Sequence, residues 1–152
     1  MKNALEKGIV MTEVNFRKYC VLWGDPANRD LDDEYFNEKT DFGFKEEDLP
    51  VEFPVVIMFD FQHVQEVGFA EISRDRYGLI ADIHLDPEND ALNAVSDLLS
   101  KKVVHPTTWA DEGKFGVSRS ECVEKDGHIK FWPIKQILIT STPRDFRLIY
   151  GI

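Results

Sequence analysis

The side chains able to do chemistry in this chain are four histidines, at 63, 84, 105 and 128, two cysteines and three hydroxyl clusters. The clusters are Thr107-Thr108, Ser118 with Ser120, and Thr140-Ser141-Thr142. A hydroxyl becomes a nucleophile only beside a general base and an oxyanion donor. His63 is the candidate base, because it follows an apolar strand whose end would hold it rigidly. His84 and His128 read as exposed strand and turn residues, and His105, before Pro106, as structural. No histidine pairs with another His or with Cys at metal-ligand spacing, so no metal is expected. A Gly-rich phosphate loop, G-x-S-x-G and C-x-x-C are all missing from the sequence, and no cofactor is implied. Cys20 and Cys122 lie far apart in strand-like runs and read as buried thiols.

The chain has 152 residues, one domain by length, and its 43% hydrophobic and 30% charged content is that of an ordinary globular protein. Its formal net charge of −10 disfavours nucleic acid and anionic membrane as partners and suits a basic protein partner. No apolar run is long enough to span a bilayer. The first residues, MKNALEKGIVMTEV, lack a signal-peptide apolar core, so a cytoplasmic location is expected.

These side chains are positioned by a run of strands. Val14 to Trp23 alternates as a strand, and Gly24-Asp25-Pro26 ends it. Asn28 to Pro50 is an acidic, ordered loop anchored by Leu31, Tyr35, Phe36, Phe42 and Phe44, read as a solvated face. Phe53 to Phe61 is a continuous apolar run, hence a buried central strand. Val67 to Ile72 is a further strand. Leu79 to Leu85 alternates, with Leu79, Ala81, Ile83 and Leu85 on one face. Asp86 as N-cap and Pro87 at the first turn open the main helix, about 87–102, with a stripe of Ala91, Ala94, Val95, Leu98 and Leu99. Val103 to Thr108 is short and extended, and Ala110 to Lys114 is a polar loop. Phe115 to Val123 reads as a strand, Asp126-Gly127 as a hairpin turn. The densest strand, with Trp132, Ile134, Ile137, Leu138 and Ile139, closes at Thr140 to Pro143. The class is β-rich α+β: a mostly antiparallel β-barrel or sandwich with one main helix.

Five segments in order, from about Val14 to Arg144, resemble the phage prohead maturation serine proteases of herpesvirus-assemblin-like fold. They are RDLDDEYFNEKTDFG (Arg29 to Gly43), FPVVIMFDFQH, VGFAEISRDRYGLIADIHLD, NAVSDLLSKKVVHPTTW and DGHIKFWPIKQILITSTP. The resemblance implies a single domain over 1–152, a β-barrel with flanking helices, and a Ser–His pair that cuts scaffold and capsid proteins inside the immature head. His63 takes the place of the base, with a local shift. Thr107 and Thr108 stand where the family has its nucleophilic serine, and Ser118 fits only a shifted alignment. Gln136 stands where a glutamate is usual, and an amide carries no negative charge.

Two functions follow from the resemblance. One is a catalytically impaired relative acting as a capsid-assembly or protein-interaction module. The other is an active serine- or threonine-type prohead protease with His63 as base and Thr108, Thr107 or Ser118 as nucleophile. Because losing one catalytic group commonly costs orders of magnitude, three departures favour the first. The expected partner is a capsid or scaffold protein, with self-association open. The place would be the host cytoplasm or the assembling head.

Overall fold

Among the described residues, six strands form one sheet that curls until its two edges almost meet. The computed structural model describes residues 15–60, 63–88 and 92–150, and the side chains of residues 59, 60, 63 and 150 fall outside that description. The N-terminal segment read above for a leader lies outside it too, as do Phe61 and Ala91. The strands are β1 (Phe16–Leu22), β2 (Val51–Asp60), β3 (His63–Arg74), β4 (Gly78–Leu85), β5 (His105–Ala110) and β6 (Ile134–Thr140). Their order across the sheet is β1-β4-β3-β2-β6-β5. Every pairing is antiparallel except β2 with β6, which sets Val55, Val56 and Ile57 beside Ile137, Leu138 and Ile139. The edge strands β1 and β5 run in the same direction and come within 8 Å of each other, Cα to Cα. The β-barrel expectation therefore holds in the form of a nearly closed, barrel-like sheet.

The apolar pattern explains the curl. Leu79, Ala81, Ile83 and Leu85 of β4 are all buried, as the alternation requires. Val55, Val56 and Ile57 of β2 are buried on both faces, as a central strand's continuous run requires. Val55, Ile57 and the four β4 side chains share one core with Cys20, Val21, Ile72, Ile137 and Ile139. Gly78 lets β1 lie close against β4: a Cβ there would sit 1.9 Å from the Val21 carbonyl oxygen.

The main helix, α1, spans Leu92–Ser100 and feeds Val95 and Leu99 into the core. It is shorter than the sequence pattern suggested. Asp86 and Pro87 lie in a turn, where Asp86 Oδ1 accepts the Glu88 N–H at 2.9 Å. Ala94 is exposed. The chain turns off the helix at Lys102, whose φ of 58° is left-handed. Lys102 N–H returns to Leu99 O at 3.1 Å and Val103 N–H to Leu98 O at 3.0 Å, which satisfies the last carbonyls.

The expected strand at Phe115 to Val123 is absent. That stretch holds a left-handed Gly116 and a 3-10 turn over Arg119–Cys122. Its apolar residues Phe115 and Cys122 pack with Ala110, Phe131 and Trp132 in a small second cluster. The Asp126-Gly127 turn is present, with Gly127 at φ 94° and a single bridge between Val123 and Ile129. A last helical turn, α2 (Arg147–Tyr150), packs on both β1 and β5 and buries Leu148 between them.

Candidate functional site

The seam between β1 and β5 is a wedge. At its narrow end Lys18 and Tyr19 of β1 approach His105 and Pro106 of β5, with Leu148 and Ile149 of α2 alongside. At its wide end Cys20 to Leu22 and Thr107 to Ala110 wall a groove of about 520 Å³. The loop around Asp30 to Phe36, the Phe115 to Arg119 turn, Trp132, Leu138 and the Thr140 to Asp145 segment complete it. The acidic loop read as a solvated face is thus partly a groove wall. Tyr35 and Phe42 are buried in it, and bridges tie Trp23 to Phe36, Tyr35 to His128 and Asp41 to Phe131.

Charge is placed in pairs around the groove. Arg119 holds Glu34 in a fork, Nη2–Oε1 at 2.5 Å and Nη1–Oε2 at 3.2 Å, and stacks over the Trp132 ring at 5.2 Å. Arg144 hydrogen-bonds Asp32. Arg147 forks onto Asp145 and also donates to the Leu22 and Trp23 carbonyls at 3.1 and 3.0 Å, covering that end of the β1 edge. Asp30, Asp32 and Glu34 bring carboxylate oxygens within 4.8 Å of one another. Two of those carboxylates are already neutralised by Arg144 and Arg119, so a cation there would compete with bound guanidinium groups.

Sequence placed four residues at the chemistry, and the groove brings two of them together. Thr107 and Thr108 both wall it, but they point to opposite faces of β5, opposite Leu138 and Ile137 respectively. Thr108 Oγ1 accepts the Trp132 indole N–H at 3.0 Å. Ser118 lies outside the groove wall and is exposed, with its Oγ 3.1 Å from that of Ser120. His63 begins β3, one residue before Val64, which pairs with the groove residue Met58. The His63 side chain is outside the described residues. Gln136 pairs with Trp109 and is not among the described groove residues.

The other histidines correct the sequence reading. His84 and His128 are buried, not exposed. His84 stacks on Phe69 with centroids 4.5 Å apart, and its Nε2 lies 3.2 Å from Glu71. His128 Nδ1 lies 2.7 Å from Glu124. His105 is buried, as expected of a structural residue, and burial followed by the nearby Lys18 charge pushes its pKa down. Both cysteines are buried free thiols, and burial pushes Cys20 up to about 12. Among the described groove residues there is no histidine.

The groove residues missed by sequence are Asp30, Glu34, Arg119 and Arg144. No spacing signal links them, since Arg119 lies 85 residues from Glu34 and Arg144 112 from Asp32. Comparison with known proteins brings no match among family models, curated sequences or solved structures. Among the described residues, no helix is long and apolar enough to cross a membrane.

Proposed function

We propose that this chain is a prohead-protease-like protein that does not cleave. In this reading it is a capsid-assembly or protein-interaction module, holding an extended segment of a capsid or scaffold protein in the seam groove. One observation carries the reading. β5 pairs only with β6, and among the described residues its other edge makes no backbone hydrogen bond, yet that edge opens onto a groove. An unpaired strand edge is a template for an added strand, with affinity from main-chain bonds and selectivity from side-chain pockets. The hydroxyl chemistry is unfavourable for cleavage. Thr108 Oγ1 is tied to an indole, Ser118 is off the groove and Gln136 carries no charge.

A photo-crosslinking residue at Leu138 should capture a capsid or scaffold protein in producing cells, while one at exposed Val117 should not. Equal capture at both positions contradicts docking in the groove. The second reading, an active protease, is favoured by Thr107 and Thr108 walling one groove with the β2–β3 ladder at its margin. A fluorophosphonate adduct on Thr107, Thr108 or Ser118 that disappears in His63→Ala would establish it.

A further inference from the structure

The groove walls carry Asp30, Glu34, Glu112 and Asp145 against Arg119 and Arg144. Glu34 is held by Arg119, and Asp145 by Arg147 from behind. Asp30 and Glu112 have no ion pair among the described residues. Asp30 is half-buried, and its Oδ1 is spent on the N–H groups of Asp32 at 2.8 Å and Glu34 at 3.1 Å. Its second oxygen accepts no hydrogen bond among the described residues, and Arg119, a cation its charge acts on, is committed to Glu34. Burial holds the Asp30 carboxyl above its ordinary range despite those two bonds, and the charges of Asp32 and Glu34 add to the cost. An incoming cation would offset that repulsion.

The backbone fixes which edge is available. Arg147 already covers the Leu22 carbonyl at the end of β1 and the Trp23 carbonyl just beyond it. That leaves the Thr107–Ala110 part of β5, at the wide end of the seam, where one strand can lie about 4.8 Å away. Because β1 and β5 run in the same direction, a strand entering the seam keeps one orientation relative to both.

Building on the docking reading, we propose that the occupant is an extended segment carrying a lysine or arginine. Its backbone pairs with the outer edge of β5, and its cationic side chain lies against Asp30 and Glu112. The net charge of −10 on the chain favours the same partner at longer range.

The test uses the full chain and three synthetic peptides of about eight residues, the length of a common strand. They alternate Thr and Val and differ only in a central Lys, Ala or Glu. Fluorescence polarisation reads affinity, and hydrogen exchange reads protection of residues 107–110. The Lys peptide should bind about tenfold tighter than the Glu peptide in low salt, with the gap shrinking at high ionic strength. Asp30→Asn keeps the oxygen that takes the two N–H groups and should remove the Lys preference while the Ala peptide still binds. Glu112→Gln should weaken the preference in part. Equal binding of Lys and Glu peptides, with β5 protected, overturns the charge proposal and leaves the docking reading standing. Binding of none of the peptides, with β5 exchange unchanged, overturns both.

Discussion

Arg147 is the residue on which the shape of the seam depends. Its guanidinium meets Asp145 Oδ1 at 3.0 Å and Oδ2 at 2.7 Å, Trp23 O at 3.0 Å and Leu22 O at 3.1 Å. The two side chains are 28% and 17% exposed, so water screens the fork only in part. Arg147→Met keeps most of the stem and removes all four bonds. Hydrogen bonds to charged groups contribute about 1.5–3 kcal/mol each before water takes their place. A carboxylate left half-buried without its partner adds to the loss. With replacement by water discounted, the expected cost is about 3 kcal/mol, or roughly 6–12 °C in Tm for a chain of this size. Urea unfolding followed by tryptophan fluorescence measures it directly. Asp145→Asn in both backgrounds should show strong coupling, because the two residues act as one unit. Arg147→Lys should recover only part of the loss, since a point charge cannot serve four acceptors in fork geometry. A loss below about 0.5 kcal/mol, the range of ordinary surface substitutions, would refute the clasp.

Tyr35 donates its hydroxyl to Asp126 at 2.6 Å, which lifts the phenol from 10.0 to about 12 and holds the Asp126 carboxyl below its ordinary 3.8. The raised group stabilises the fold fully below pH 10 and loses that effect up to about 12; the lowered one acts above 3.8 and fades as pH falls through its folded value. Tyr35→Phe should flatten both limbs of a stability–pH curve, and phenolate absorbance should show one late-titrating tyrosine fewer. Cys20 is 1% exposed, so in a Cys122→Ser background a thiol reagent at mildly alkaline pH should react only as fast as the protein opens. Gly78→Ala places a methyl against the Val21 backbone, which no rotamer change can relieve, and should cost upwards of about 3 kcal/mol or abolish soluble expression. Thr108→Val strands the Trp132 indole N–H and should destabilise by about 1–3 kcal/mol, whereas Thr107→Val should leave stability nearly unchanged.

The strands were legible where one face meets the core. Leu79, Ala81, Ile83 and Leu85 announce β4 by period alone, and the Val55 to Ile57 run announces a central strand. The same rule misplaced His84, which alternates with those residues but is covered on the other face by Phe69 and neighbours Glu71. Phe115 to Val123 failed because aromatic and small residues also suit a bent segment that buries two side chains and turns at Gly116. Of the site, Thr107 and Thr108 were found by resemblance. The carboxylate and guanidinium walls were not, because local pattern carries no information about contacts between the Asp30 loop and the Arg119 turn.

The parallel pairing of β2 with β6 has a consequence for the order of assembly. β2, β3 and β4 follow one another within a few residues and pair with their sequence neighbours. β6 reaches β2 only after the chain has closed a loop of about 80 residues, a costly step that slows folding. The β2–β4 meander is therefore expected to form first, and β5, β6 and α2 to join it late. During synthesis the chain would expose one bare edge of that meander until the last strand emerges. A segment that docks in the finished seam would select molecules that have completed folding.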